Sequence, residues 1–243
     1  MPCARLKPHV VLFFLALLLH TVAGSGYGQT LDQRIANEQT KFIPRDDTPL
    51  NQYVKIAQQL KIPMGIEWTQ EPGQSTRQHI DFLGGTIREL LRAVCPNSLL
   101  WSQGGLLHVA FPKTVVHSPL NFLNLRLPEH IAIDEPFYVA EGLLRTRINM
   151  ALYPELYRSG FGGGYGAGPT PFNLRSITFS GHDLTIRDIL SGIAESHGNA
   201  LWVVQLSQDE LAGTKPKWEG VPKNNQGQSP LSNRWKFIPL VQE

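Results

Sequence analysis

Residues 80–111, IDFLGGTIRELLRAVCPNSLLWSQGGLLHVAF, are the stretch whose reading decides the fold. They return in altered form at 177–205, ITFSGHDLTIRDILSGIAESHGNALWVVQ. Each copy runs an apolar segment through Phe82 or Phe179, then a glycine (Gly84 or Gly181), then a threonine (Thr86 or Thr185). Ile87, Leu90, Leu91 and Val94 follow at i, i+3, i+4 and i+7, which is one face of a helix. Ile186, Ile189, Leu190 and Ile193 repeat that spacing. Thr86 with Glu89, and Thr185 with Asp188, have the form of a capping box, which satisfies two orphan amide donors. Apolar runs at 99–102 and 106–111 flank Gln103-Gly104-Gly105, a hairpin signal. In the second copy 200–206, with Leu201-Trp202, closes as a strand. A period of this kind has to be read before individual elements, because it sets the architecture.

The repeat extends upstream. Residues 41–44 (KFIP) read as a strand, and Asp46-Asp47-Thr48-Pro49 as a turn that opens a helix with Pro49 in its first turn. Leu50, Val54, Ala57 and Leu60 carry that helix, Pro63 ends it, and 64–68 (MGIEW) and 79–83 read as strands. In the second half 122–127 reads as a strand and Asp134-Glu135-Pro136 as a helix opening. Tyr138-Val139 then matches Tyr53-Val54, Met150 matches Met64, and 173–179 reads as a strand. The expected fold is α+β: two repeated modules, 41–113 and 119–208, each of β-α-β-β-α-β(β) order. Each module is expected to pack a mixed open sheet on two helices. A glycine-rich insertion at 158–172 distinguishes the second module. Residues 25–40 read as a flexible leader and 209–243 as a loose tail. Within that tail 234–241 reads as a terminal strand, confined to an edge by Pro239.

The address is read from the first 24 residues. Arg5 and Lys7 precede an unbroken apolar run at 10–19, and small residues follow at 21–25, the order of a secretory signal peptide. The run is about half the roughly 20 residues that a spanning helix needs, which sets cleavage ahead of a retained anchor. The chain has 22 basic and 20 acidic residues. Removing Arg5 and Lys7 leaves 20 of each, so the mature chain is near neutral. Its basic residues are scattered, and nucleic-acid binding is not expected. No later run is long enough to span a membrane. Of the two cysteines, Cys3 leaves with the signal, and Cys95 stands opposite Ala194 in the repeat, a position suited to a small packed side chain.

With the element order in hand, each half resembles the short N-terminal domain shared by secretins and TonB-dependent receptors, the STN domain. The resemblance falls on Leu50, Val54, Leu60, Ile66, Ile80, Phe82, Thr86, Leu90, Leu91, Leu100 and 106–111. In the second half it falls on Val139, Leu143, Leu144, Ile177, Phe179, Leu184, Ile186, Leu190 and Trp202. A related small periplasmic module ends some anti-sigma regulators and is similar as well. Gly84-Gly85-Thr86 is shorter than the family's usual approach to the helix, and no secretin pore, plug or barrel follows. The resemblance implies protein–protein contact with an envelope partner in the periplasm and no catalysis.

Site chemistry is sparse. Gly162 to Ala167 has the letters of a dinucleotide fingerprint but lacks the flanking strand and helix that give it meaning. No cofactor is expected. His79, His108, His117, His130, His182 and His197 are scattered, without the closely spaced pairs of a zinc site, and no metal is expected. No serine-nucleophile elbow is present. The candidate partner-binding residues are Phe161, Tyr165 and Phe172 in the glycine-rich loop, since long loops often carry function. The alternative is an envelope hydrolase using Asp81 or Glu67 in a groove between the two modules.

Overall fold

The computed structural model describes residues 29–43, 45–69, 77–152, 170–206 and 235–241. Five of the six described α-helices begin where a threonine side chain replaces a missing backbone partner. Thr48 caps α2 (Pro49–Leu60), with Pro49 at its first position. Thr86 caps α3 (Ile87–Val94): Thr86 Oγ1 accepts the Glu89 amide at 3.2 Å, and Glu89 accepts the Thr86 amide at 2.7 Å. Thr185 and Asp188 do the same for α6 (Ile186–His197). A further capping box, Thr30 with Gln33, starts α1 (Leu31–Asn37) inside the segment expected to be a flexible leader. That expectation is corrected. Ile35 is buried in the core, and Gln39–Thr40 (β1) pairs with Gly85–Thr86 (β3), so the segment is held by packing as well as by its cap.

The molecule is mixed α+β, and its main sheet has five strands. The order is β4 (Leu99–Gln103), β5 (Leu106–Phe111), β2 (Met64–Thr69), β8 (Ala200–Leu206), β9 (Trp235–Pro239). β2 runs parallel to both neighbours, β5 and β8, while the hairpins β4–β5 and β8–β9 are antiparallel. The expectation of one open sheet per module is therefore corrected: strands of both halves share one sheet. The reason is burial. Every residue of β2 and β5 is buried, as in strands covered on both faces. Met64, Ile66 and Trp68 turn to one core with Tyr53, Ile56, Leu90 and Leu91. The opposite face meets a second core of Phe137, Leu144, Ile189, Leu190 and Trp202. β8 supplies the second neighbour that such a strand needs. Gly65 lies opposite Trp202, and a Cβ there would stand 2.3 Å from the indole, so this close approach requires glycine.

A two-stranded ribbon, β6 (Arg126–Pro136) with β7 (Ser176–Thr185), carries α4 (Phe137–Leu152) and α6 beside the second core. Several local expectations shift here. Residues 122–124 form a 3-10 turn, the strand starts only at Arg126, and it runs through Pro136. Its register shifts between Ala132 and Glu135, where Asp134 takes a positive φ of 53°. Met150, matched to the strand residue Met64, lies on α4. Residues 171–174 form a helical turn, α5, ahead of β7. In the first half Ile80 and Phe82 are buried while Asp81 and Leu83 are exposed, the alternation of a strand. Residues 79–83 nevertheless form no ladder among the described residues; pairing stops at the isolated Asp47–Gln78 bridge, and Phe82 N–H turns back to Ile80 O at 3.1 Å. Residues 235–239 return as the strand β9.

Leu90 and Leu190 are fully buried, one in each core. Leu90→Ala and Leu190→Ala should each lower stability by about 2–5 kcal/mol in urea denaturation, as large-to-small core changes do. Gly65→Ala should also lower the midpoint, because Trp202 has to move. An unchanged midpoint for Gly65→Ala would contradict the β2–β8 packing.

Candidate interaction edge and the buried ion pair

β2 carries one charge into the second core. Glu67 is fully buried and meets Arg187 of α6, whose Nη2 donates to Oε2 at 2.9 Å and whose Nε donates to Oε1. Two asparagines of the connecting turns complete the set. Asn121 Nδ2 donates to Glu67 at 3.1 Å, and Arg187 Nη1 donates to Asn124 Oδ1 at 2.7 Å. Asn121 is itself anchored to Val115 O and Leu123 N, and Asn124 to Val116 O and Ser118 O. Ser191 returns its hydroxyl proton to Arg187 O and accepts Trp202 Nε1 at 3.3 Å. The arrangement is a satisfied lock between the two halves. Both Glu67 oxygens accept from Arg187, and Asn121 adds a third bond to the carboxylate. Asp81, the other carboxylate considered, is 99% exposed and stands 3.6 Å from His79. The fold does not bring Asp81 and Glu67 together.

The histidines divide by environment. His79 is exposed on Asp46 at 2.8 Å, and that bond raises its pKa. His182 stands on β7, 3.6 Å from Glu129. His197 is buried with its tautomer set: Nε2 donates to Phe172 O at 3.0 Å and Nδ1 accepts the Asn199 amide. His108 and His130 are buried with no hydrogen bond on either ring nitrogen. Burial, with Arg187 nearby, pushes His108 down to about 4, against an opposing pull from the Gln103 backbone. Burial, with Arg147 nearby, pushes His130 down to about 4. No group of three metal-ligating side chains occurs among the described residues.

Of the three loop aromatics, the structure places Phe172, half-buried. Its ring packs 5.1 Å from Phe137 and 4.3 Å from His197, so it belongs to the second core. Phe161 and Tyr165 lie outside the described residues. Cys95 ends α3 and packs partly buried against the first core.

What the sheet does offer is two edges of different character. In an antiparallel pair, residues that exchange both backbone bonds alternate with residues that turn outward. Leu240 N–H bonds Asn199 O at 3.1 Å, so the outward residues of β9 are Trp235, Phe237 and Pro239. That edge is closed at its two ends, while the backbone of Phe237 between them has no hydrogen-bond partner among the described residues. Arg145 Nη2 donates to Trp235 O at 3.0 Å, Gln58 Nε2 donates to Pro239 O at 2.9 Å, and proline has no N–H. At the other edge, Gly104 and Gly105 take φ of 56° and 73° in a two-residue turn. Leu107 N–H is spent on Pro63 O at 2.9 Å, on the β2 side. Its partner Ser102 therefore faces outward, and Leu100 with it. Among the described residues no side chain or backbone group closes a hydrogen bond on the backbone of Leu100 or Ser102. This open edge was not singled out from sequence; its only signal there was a hairpin strand with no second neighbour.

Comparison with family models, curated proteins and solved structures finds no match. Among the described residues no helix is long and apolar enough to cross a membrane.

Arg187→Met alone should cost about 3–5 kcal/mol, because it leaves Glu67 buried and unpaired. Combining it with Glu67→Leu should recover most of that loss. The two neutral histidines add an acid sensitivity with a definite sign. The unfolded chain takes up their protons near pH 6.5 and the folded chain only near pH 4. Stability should fall as pH drops across that window and level off below it, by on the order of 3 kcal/mol per histidine at most. Urea midpoints between pH 7 and 4 measure it, and His130→Leu should reduce the slope.

Proposed function

We propose that this is an exported, non-catalytic binding or scaffolding protein of the cell envelope, built from two STN-like modules, and that a partner adds to the β4 edge. The observation that carries this reading is the asymmetry of the sheet. One edge is capped at both ends by Arg145, Gln58 and Pro239, with Phe237 alone unbonded between them, whereas on the other the backbone of Leu100 and Ser102 has no cap among the described residues. Unpaired edges invite strand addition, and proteins that do not use an edge blunt it. Backbone bonds would give affinity and alternate side chains selectivity. The duplication is supported by the two capping boxes that start α3 and α6, and by the β1–β3 and β6–β7 pairs that lead into those helices. Export is supported by the basic, apolar and small-residue order of the first 24 residues. The hydrolase alternative has no observation in its favour, since Glu67 is held by Arg187 and Asp81 lies apart.

The test is photocrosslinking in an exporting host, with the reactive side chain at Ser102 or, on the opposite edge, at Lys236. Adducts in the envelope fraction should form from Ser102 and not from Lys236. The processed chain should lack the first 24 or so residues by mass spectrometry. Intact Met1 in the cytosol, or adducts from Lys236 alone, would reverse the proposal.

A further inference from the structure

Resting on the reading of β4 as the binding edge, we infer that the segment it captures is extended and alternates acidic with apolar side chains. A strand added to β4 sends every second side chain to each face of the sheet. On the face of Leu100, α1 and α3 stand back from β4 and leave a cavity of about 80 Å³. Ile35, Leu107 and the 100–102 stretch of β4, which includes Trp101, line it together with Arg88, Arg92 and Asp32. Arg88 and Arg92 are one helical turn apart on α3 and exposed, and neither makes an ion pair or hydrogen bond among the described residues. The nearest acid on α3, Glu89, is taken up by the Thr86 amide, which holds its carboxyl below the usual range, with Arg92 contributing least. Asp32 accepts Ser102 Oγ at 2.7 Å. Two arginines against one aspartate leave the pocket one positive charge. A guanidinium fork fits a carboxylate at two points, so side chains arriving on this face are selected for acidity.

The opposite face selects differently. Trp101 is partly buried there and stacks on His108 at 4.7 Å. Because His108 stays neutral at ordinary pH, this face presents apolar ring surface. Side chains of the added strand that point this way meet the Trp101 indole and are selected for apolar character. The two faces together call for a strand with acids on one side and apolar groups on the other.

The probes are synthetic peptides that alternate valine with glutamate, glutamine or lysine, added to the protein purified after export. The glutamate peptide should bind about tenfold more tightly than the glutamine peptide at low salt, the worth of one or two part-exposed charge pairs. The lysine peptide should bind least. The glutamate advantage should vanish in the Arg88→Gln, Arg92→Gln double variant and shrink at high salt. Ser102→Pro should abolish binding of all three; its N–H faces outward, so proline removes no bond of the β4–β5 ladder. A glutamate peptide N-methylated at alternate residues should fail in the same way without any change to the protein. Equal binding of the glutamate and glutamine peptides would overturn the acidic preference, while adducts from Ser102 would still support the binding edge. Binding that survives both Ser102→Pro and N-methylation would sink the edge itself. Self-association of the protein without peptide, lost in Ser102→Pro, would assign the edge to a second copy and overturn the inference. Binding of none of the peptides would overturn it also.

Discussion

A carboxylate sits at the centre of a strand that water does not reach, and the molecule is built around that constraint. Glu67 lies on β2, between neighbours on both sides and cores on both faces. A buried charge is costly unless it is paired and hydrogen-bonded. The partner, Arg187, comes from α6, 120 residues further along the chain. The first half therefore cannot satisfy its own central strand. The turns at 113–124 add Asn121 and Asn124, so the connection between the halves is also part of the lock. Such pairs contribute little net stability compared with apolar substitutes, but they penalise any arrangement that leaves one member alone. Here the penalised arrangements are those in which β8 fails to align with β2.

A shared sheet also changes what the protein can present to a partner. Two separate open sheets would have four edges, whereas, beside those of the β1–β3 and β6–β7 pairs, the joined five-stranded sheet has two. One carries proline and side-chain caps from both halves: Gln58 from α2 and Arg145 from α4. The Arg145 guanidinium also lies 4.0 Å from the centre of the Trp235 ring, which holds it over the strand it caps. The other edge has neither device among the described residues. Closing one edge while leaving its counterpart open is how a sheet restricts strand addition to one place.

Much of this fold was legible in residues 80–111 and 177–205. Threonine caps, helix registers and the Gly104-Gly105 turn are local matters, decided by backbone partners within a few residues. Residues 64–68 (MGIEW) read as a strand, and that strand is buried on both faces. Other segments were misread because their conformation depends on a distant neighbour. Residues 79–83 alternate in burial as a strand does but find no ladder, since burial pattern and backbone pairing are separate requirements. Residues 31–37 looked polar enough to be loose, yet a single buried Ile35 and a Thr30–Gln33 cap hold a helix there. Phe172 read as a loop aromatic because glycines and prolines precede it, but the cluster of Phe137 and His197 claims it.

The candidate site was less legible than the fold. Arg88 and Arg92 could be placed on one side of a helix by their spacing, but nothing local says whether acids answer them. Ser102 and Leu100 are unremarkable as letters; their outward backbone follows from which way Leu107 bonds across to Pro63. By itself the sequence determined the elements with local causes: capped helices, a tight hairpin and the strand at 64–68. Only the tertiary structure decided that β2 and β8 pair, that Glu67 meets Arg187, and which edge stays open. Those are contacts between residues far apart in the chain, and no periodicity records which distant strand will take the second side of a buried one.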